Sequence, residues 1–381
     1  MRNQGLSNTQ IEFRLKQAKA KDQKYENGKI FCSLCTKPHF IAERAHSMFL
    51  DSNLGDIGLF PGTAELEQEA IAELSDLLNL KNGAGFIVSG GTEANFLAMY
   101  AAREKANLKE PEVIVSELAH FSFNKIARIL KIKLIQAKVD SCFNFDLENI
   151  ESLITKNTIA IVANAGSTEL GSIDPIEALS KISVKRAVPL HVDAAFGGLI
   201  IPFLKQSGYL VGDFDFSLPG VQTITVDPHK MGMSTIPAGG ILFRDKSMLD
   251  YIKTETPYLT ENYQYTVLGT RSGASVAATW AVFAYLGQEG FRKIVKNCMD
   301  LTILLYNQLK AGGFEVLVRP QLNIVAFRSA NTKLLVDNLK KKGFFVSYSP
   351  HLNCARVVLM PHTTQQHVID LVDCIKELEA C

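Results

Sequence analysis

The segment AGFIVSGGTEANFLAMYAAREKAN, residues 84–107, decides the fold class of this sequence. Its apolar run at 84–88 is stopped by two glycines, and good helix formers follow from Thr92 onward. This order is typical of a buried strand that turns directly into a helix. Two glycines allow a ligand to approach the backbone closely, and the first N–H groups of a helix attract anions. Residues 89–95 are therefore either a phosphate site or only the turn between a strand and a helix.

Apolar runs of the same kind recur beyond this segment, with helix-like stretches between several of them. The runs are PEVIVSE (111–117), IKLIQAKV (132–139), TIAIVANAG (158–166), PLHVDAA (189–195), QTITVD (222–227) and GGILFR (239–244). Near-continuous runs of Val and Ile that are separated by helices predict an α/β fold, in which helices cover both faces of a mostly parallel sheet.

The two ends of the chain have different patterns. The N-terminal part has few helical patterns and ends in a stretch rich in Gly and Asp, which predicts an extended arm. Helices are expected at 65–80 and, rich in Ala, at 273–309. Short apolar runs then alternate with helical segments, as in a small α+β domain. The sequence thus predicts an arm at 1–60, a large domain at 61–310 and a small C-terminal domain at 311–381.

Charge and hydropathy exclude several classes of partner. The 381 residues include 40 Lys and Arg against 39 Asp and Glu, which leaves a net charge of +1. This balance predicts no binding to nucleic acid or to an acidic membrane surface. The longest strongly apolar stretch, 277–286, is about half of what a bilayer span needs. The polar N-terminus lacks the apolar region of a secretory signal, so we expect a cytoplasmic protein that binds a small molecule.

Seven cysteines are scattered along the chain without the spacing of a disulfide framework, which favours reduced thiols. Cys32 and Cys35 have the CxxC spacing of zinc or redox sites, but no second pair follows them. We therefore expect ordinary buried thiols at these two positions and no metal site.

Three polar side chains follow apolar runs, where ligands bind to parallel sheets. Asp193 ends the run LHVD, and a buried carboxylate there needs either an arginine or a protonated heterocycle as its partner. Lys230 follows the run that ends at Asp227. It is either a solvated surface lysine or a desolvated one, whose lowered pKa favours Schiff-base formation. His120 either stacks on a flat ligand or is an ordinary half-buried histidine.

Together these features match the needs of pyridoxal phosphate: a phosphate site, a lysine for the aldehyde and a carboxylate for the ring nitrogen. The motifs SGGTEAN, HFS, HVDAAFGG and DPHKMG, in this order, resemble those of the pyridoxal-phosphate-dependent amino-acid decarboxylases. This family has the aspartate aminotransferase fold, also called fold type I. Further similar segments, from NLGDIGLFPGT to YLGQEGFRKIV, extend the resemblance over most of the chain.

The resemblance is greatest to archaeal enzymes that decarboxylate L-tyrosine or L-aspartate. It implies a carboxy-lyase that converts L-tyrosine to tyramine and CO₂, with L-aspartate to β-alanine as the alternative. In archaea these products would serve methanofuran or coenzyme A biosynthesis. Two further hypotheses are a lyase of the same fold that cleaves a different bond and a scaffold that has lost catalysis.

The resemblance also implies roles for individual residues. Lys230 bonds to the cofactor aldehyde, Asp193 faces the ring nitrogen, and His120 stacks on the ring. The expected cofactor contacts are Gly91, Thr92, His120, Thr168, Asp193, Ala195, His229, Lys230 and Thr270. In relatives, the residue at the position of Thr270 contacts the phosphate of the neighbouring subunit. We therefore expect a homodimer with its active site at the subunit interface.

Three assignments stay open. Asp227 stands where relatives have Asn or Ser, so it either points away from the phosphate or is separated from it by a cation. We expect Tyr258 to be the catalytic proton donor, on a segment that also carries Tyr263 and Tyr265. For all three tyrosines the alternative is simple packing. Arg356 either orients the substrate carboxylate or forms a structural ion pair.

Overall fold

The computed structural model describes residues 1–379. The helices are α1 (Asn8–Lys19), α2 (Phe40–Met48), α3 (Pro61–Leu77), α4 (Gly91–Ala106), α5 (Ser122–Leu130), α6 (Leu147–Leu153), α7 (Ile176–Arg186), α8 (Ile201–Gln206), α9 (Gly273–Ala311), α10 (Thr332–Lys341) and α11 (Gln365–Glu379). The strands are β1 (Ala84–Val88), β2 (Glu112–Ser116), β3 (Lys133–Ala137), β4 (Thr158–Asn164), β5 (Leu190–Asp193), β6 (Val221–Val226), β7 (Gly239–Phe243), β8 (Thr254–Glu255), β9 (Tyr263–Gln264), β10 (Glu315–Val316), β11 (Ile324–Arg328), β12 (Ser347–Ser349) and β13 (Cys354–Val358).

The large sheet has seven strands in the order β1-β7-β6-β5-β4-β2-β3. All neighbouring pairs are parallel except the two that β7 makes, with β1 and with β6. The predicted mostly parallel sheet is confirmed. Parallel strands end at the same edge of a sheet, so the polar residues that follow β1, β4, β5 and β6 meet there.

Helices cover both faces of this sheet, as the continuous apolar runs predicted. In β2, Val113 and Val115 belong to one buried core, and Ile114, between them, belongs to the other. Successive side chains of a strand point to opposite faces, so a strand buried on both sides needs apolar residues at every position. This double burial holds the strand ends of the site in place.

A second, antiparallel sheet has the order β10-β11-β13-β12 and lies in the C-terminal part, where the sequence predicted a small α+β domain. Helices α10 and α11 pack with it. Its apolar core includes Leu301, Leu305 and Leu309 from the end of α9. The long helix α9 therefore contributes side chains to the cores of both sheets.

Residues 1–60, for which we expected an extended arm, contain two helices. Helix α2 packs against α9, with Ala42 fully buried. Its own sequence pattern is weak, so tertiary packing rather than local propensity stabilises it. Helix α1 begins with a capping box between Ser7 and Gln10 and buries no residue. The arm is thus extended only between and after these helices.

Within the described part of the chain, no helix combines the length and the apolar character that a bilayer crossing requires.

A buried ion pair joins three elements next to the site. Arg271, just before α9, donates to both carboxylate oxygens of Glu67 in α3, and its Nη1 lies 3.0 Å from the carbonyl of Ile87 in β1. The amide of Ile87 in turn donates to Glu67 at 2.9 Å. Both charged side chains are only 10% exposed. Removing either partner would leave a buried charge without compensation.

We therefore expect Arg271→Met to lower the free energy of unfolding by about 3 kcal/mol. The matched control is Lys293→Met, which breaks an exposed pair with Glu289 and should change stability by about 0.5 kcal/mol or less. Urea denaturation of both variants measures the difference. Equal midpoints for the two variants would contradict the structural role of the Arg271 pair.

Candidate active site

A cavity of about 320 Å³ opens at the carboxyl edge of the large sheet. This volume is within the range of about 300–1,000 Å³ that small-molecule sites occupy. Eight of the predicted cofactor residues line it: Gly91, Thr92, His120, Thr168, Asp193, Ala195, His229 and Lys230. Residues far apart in the sequence thus meet in one place, at the strand ends where the fold predicts a ligand.

The turn between β1 and α4 has the geometry of an anion site. Gly90 has φ of 154°, a conformation that side chains with a Cβ rarely adopt. A Cβ at Gly91 would lie 2.9 Å from Oδ2 of Asp227 and 3.2 Å from the methyl group of Ala195. Both glycines are therefore required for the backbone to line the cavity, and the free N–H groups at the start of α4 face an anion favourably.

Glu93 holds this turn in place. Its Oε2 accepts hydrogen bonds from the amide of Ser89 at 2.8 Å and from the Ser89 hydroxyl at 2.6 Å. Its Oε1 accepts from the amides of Val267 and Leu268. One buried carboxylate thus ties the turn to the segment that leads into α9. Four donors compensate the cost of burying its charge.

Asp193, at the end of β5, is only 7% exposed, yet both of its oxygens have donors. Oδ1 accepts from the amide of Ala195 at 3.1 Å, and Oδ2 accepts from the side-chain amide of Asn95 at 2.8 Å. Hydrogen bonds to the charged form of a carboxylate favour that form. Asp193 is therefore suited to a positively charged partner inside the cavity.

Lys230 is buried, with its Nζ 3.1 Å from Oδ2 of Asp227. Burial alone lowers the pKa of this amine, but the carboxylates of Asp227 and Asp193 outweigh burial and raise the pKa above its ordinary value. Lys230 is therefore neither the solvated surface lysine nor the desolvated lysine of lowered pKa that we considered. The physical reason is that two carboxylates face the same amine, one of them from Asp227, three residues before it.

Asp227 points into the cavity, next to the glycine turn, and not away from it. Its carboxylate stays in the site, and cationic or N–H groups surround it: Lys230 at 3.1 Å and Nε2 of His229 at 3.6 Å. Nδ1 of His229 accepts from the amide of Ala238, so the ring proton is on Nε2 and points towards Asp227. The other oxygen of Asp227, Oδ1, is buried without a partner among the described residues.

His120 lies at the rim of the cavity. Its Nδ1 accepts from the amide of Ser122 at 3.3 Å, and its ring contacts Phe121 with centroids 4.1 Å apart. Burial lowers the pKa of His120, so the ring is neutral near pH 7. A neutral imidazole can stack on an aromatic ligand without the cost of desolvating a charge.

The conserved domain of pyridoxal-dependent decarboxylases matches residues 50–330, which include every residue of the anion site, Asp193 and Lys230. The chain belongs to this family. It is a lyase that decarboxylates an amino acid with pyridoxal 5'-phosphate as its cofactor. The cavity fits the phosphate at the glycine turn, the ring nitrogen at Asp193 and the aldehyde at Lys230.

Similar proteins agree with this assignment. The decarboxylase is 50% identical to a probable L-tyrosine/L-aspartate decarboxylase of Methanothermobacter thermautotrophicus, over 90% of this chain and 95% of that one. It is 45% identical to an L-aspartate/L-glutamate decarboxylase of Pyrococcus horikoshii, over 98% of both chains. Among solved structures, a sphingosine-1-phosphate lyase of Burkholderia pseudomallei superposes with a TM-score of 0.92 at 26% identity, over 99% of this chain and 91% of that one. The predicted fold type I is confirmed.

Arg356 lies behind the cavity of the decarboxylase rather than in its lining. It donates to the carbonyls of Thr168 and Cys32 and to the hydroxyl of Ser347. These partners are neutral oxygens, so the geometry does not support the structural ion pair that we considered. The buried Nε of Arg356 has no partner among the described residues.

Besides Arg356, two of the predicted site residues do not reach the cavity of their own chain. Tyr258 is 85% exposed, and Thr270 is exposed on a neighbouring surface that shares Ser89 with the cavity. Tyr265 stacks on Phe86 with centroids 5.6 Å apart, and Tyr263 belongs to the short strand β9. In a single subunit, the site of the decarboxylase therefore lacks the expected proton donor.

The structure adds residues that the sequence analysis did not assign. Asn95 was quoted in the motif SGGTEAN without a role. It is four residues after Gly91, so the two residues lie on the same face of the helix.

Cys32 and Cys35 are free thiols, but they are half-buried rather than buried. Burial raises the pKa of Cys35, and the nearby charges of Lys230 and Asp227 also act on it. The segment around Cys35 therefore covers one side of the site, and its neighbour Leu34 lines the cavity. Cys381 lies outside the described residues.

Proposed function

We propose that this decarboxylase converts L-tyrosine to tyramine and CO₂. The observation that carries the proposal is the charge of the cavity lining: of its described residues, only Lys230 is a lysine or an arginine. This amine would bond covalently to the cofactor and would not be available to the substrate. A side-chain carboxylate in the pocket would need a second cation to compensate its burial, whereas a phenol needs an apolar wall and one hydrogen-bond partner. Leu34 and Phe196 supply apolar surface.

L-aspartate, which would give β-alanine, is the second candidate. The names of both similar decarboxylases include aspartate. Arg356 is the observation in its favour, because it is a buried cation that bonds to a residue of the cavity wall and keeps one donor without a partner among the described residues. If Arg356 binds the α-carboxylate of the substrate, however, no further cation of the described cavity lining remains for the side chain.

Bound pyridoxal phosphate supplies a ring that accepts the electron pair left when CO₂ departs. Asp193 would hold a proton on the ring nitrogen. Lys230 would carry the covalent bond to the aldehyde, and Asp227 Oδ2 is the acceptor 3.1 Å away for the proton that its amine must first release. His120 and Ala195 enclose the ring from two sides and exclude water.

The phosphate contacts follow from the same geometry. The amides of Gly91 and Thr92 would donate to the phosphate at the start of α4. Nε2–H of His229, which faces Asp227 at 3.6 Å, would be a further donor once turned towards the phosphate, because its Nδ1 is occupied by the amide of Ala238. Thr168 lines the cavity in front of Arg356 and would contact the ring hydroxyl or the substrate.

We infer a homodimer in which each site is completed by the other subunit. The exposure of Tyr258 and Thr270 supports this arrangement, because neither reaches the cavity of its own chain. In the dimer, Thr270 would contact the phosphate of the neighbouring site, and Tyr258 would protonate the product carbanion there. A tyrosine held near a buried cofactor is a suitable general acid because its hydroxyl donates a proton without carrying a charge.

The test is the release of CO₂ from tyrosine, aspartate, glutamate and cysteine by the holoenzyme. We expect kcat/KM for tyrosine to exceed that for aspartate about a hundredfold, since an unpaired buried carboxylate costs several kcal/mol. Leu34→Lys should reduce this ratio because it adds a cation, and Leu34→Met, of similar shape, should preserve it. A higher kcat/KM for aspartate than for tyrosine in the unmodified enzyme would establish the second candidate instead.

A further inference from the structure

A buried hydrogen-bond network lies next to Asp193, at the wall of the cavity. Its centre is the side chain of Asn95 in α4, which is 1% exposed. Nδ2 of Asn95 lies 2.8 Å from Oδ2 of Asp193. Oδ1 of Asn95 lies 2.7 Å from the hydroxyl of Thr225 in β6 and 3.0 Å from Nε2 of His191 in β5. Three polar side chains thus converge on one buried amide.

The carboxylate of Asp193 determines which group donates in each hydrogen bond of this network. An ionised carboxylate only accepts, so the NH₂ group of Asn95 must face Asp193 and its oxygen must face Thr225 and His191. Both of these neighbours then donate, which places the ring proton of His191 on Nε2. Nδ1 of His191 is left to accept from the hydroxyl of Thr223 at 2.8 Å.

Protonation of His191 does not change the donor and acceptor roles in this network. Burial lowers its pKa to about 4, so the ring stays neutral under physiological conditions. A rotated Asn95 amide would place its oxygen against the carboxylate. This contact would be repulsive and would leave Oδ2 of Asp193 without its donor. The amide of Asn95 therefore has a single stable orientation.

We propose that Asn95 is a positioning residue that holds Asp193 towards the cofactor's ring nitrogen, while Thr225 and His191 hold the oxygen of the Asn95 amide. This inference rests on the proposed role of Asp193. It explains why a buried polar network lies beside this carboxylate. The donor that Asn95 supplies is neutral, so it supports the carboxylate without competing with the ring nitrogen as a counter-ion.

The variant Asn95→Asp tests this donor with a side chain of the same shape. Aspartic acid at position 95 can donate to Asp193 only while it is protonated, because two ionised carboxylates at this distance repel each other. Lys230 and His120 are the titratable groups close to Asp193, and His191 faces the new carboxyl directly. Lys230, His120 and His191 are present in the unmodified enzyme too. The ratio of the dissociation constants of variant and unmodified enzyme therefore reports the titration of the new carboxyl at position 95.

The measurement is the dissociation constant of pyridoxal phosphate from the holoenzyme between about pH 6 and about pH 9. At the acidic end, the ratio of variant to unmodified dissociation constants should be near one. It should rise by about tenfold towards the alkaline end, where the donor is lost, as expected for a hydrogen bond to a charged group. A ratio that stays near one over the whole range would overturn the proposal. An equally raised ratio at every pH would also overturn it, because that result indicates a packing defect instead.

A second variant keeps the test independent of the folding of Asn95→Asp. Thr225→Val removes one of the two donors to the Asn95 oxygen, and we expect a rise of about threefold in the dissociation constant. Thr302→Val is the matched control: both threonines are fully buried, but the Thr302 hydroxyl donates to the carbonyl of Cys298 within α9. Equal dissociation constants for the two valine variants would count against the network.

Asp193→Asn separates this inference from the role of Asp193 itself. If Asp193→Asn impairs the enzyme and the Asn95 and Thr225 variants bind the cofactor normally, only the positioning role of Asn95 is wrong. If Asp193→Asn leaves the enzyme unaffected, the assignment of Asp193 to the ring nitrogen is wrong, and the inference about Asn95 is overturned with it.

Discussion

Replacing Lys230 with alanine should abolish decarboxylation, with a decrease in kcat of about 10⁵-fold, as when an enzyme loses its covalent catalytic group. The variant should also fail to retain the cofactor covalently. After reduction with borohydride, mass spectrometry of the unmodified enzyme should find pyridoxal phosphate on the peptide that carries Lys230. The alanine variant should show no such adduct.

The matched control is Lys205→Ala, which removes a lysine that pairs with Asp213 at the end of α8. It should keep both the adduct and the rate. The two variants together separate loss of the covalent bond from a general effect of removing a lysine. An adduct on another lysine in Lys230→Ala, with catalysis intact, would contradict the assignment of Lys230.

Asp193→Asn should preserve the fold and the covalent adduct but lower kcat by about a thousandfold, which is the effect of removing one preorganised electrostatic contact. The amide has nearly the same shape as the carboxylate, and its single oxygen can still accept from one of the two present donors, Asn95 or the amide of Ala195. What is lost is the negative charge that keeps the ring nitrogen protonated. Steady-state kinetics and the visible spectrum of the holoenzyme measure these two outcomes separately.

Asp215→Asn is the control for this charge change. Asp215 is as buried as Asp193 and has the same kinds of donor, the side chain of Asn79 and the amide of Ser217, but it lies outside the cavity. We expect an unchanged rate for Asp215→Asn. If the two variants were equally active, Asp193 would have no electrostatic role in the reaction.

Much of the fold was readable in the sequence because the central strands of the large sheet are buried on both faces. The consecutive apolar residues of β2 and β4 produce runs that surface strands do not have. Glycines mark the turn between β1 and α4 because that backbone excludes a Cβ. Helix α2 was not predicted, because packing against α9 stabilises it rather than the helix propensity of its own sequence.

The sequence predicted which residues form the candidate site but not how their charges change one another's pKa. Motif positions indicated Lys230, Asp193 and His120, and the cavity brings all three together. The raised pKa of Lys230 could not be predicted, because burial and the charges of Asp227 and Asp193 oppose each other and only distances decide which is larger. The same holds for Arg356, because the two carbonyls to which it donates, those of Thr168 and Cys32, precede it by more than a hundred residues.

The order of residues along the chain was enough to predict the parallel sheet and the cofactor, because apolar strands, paired glycines and a lysine after a strand are local features of the sequence. Tertiary structure alone decided which groups face one another. It placed Asn95 and His191 next to Asp193, and it left Tyr258 on the surface. The physical reason is that hydrogen-bond direction and charge balance depend on distances of a few ångströms between segments that are remote in sequence.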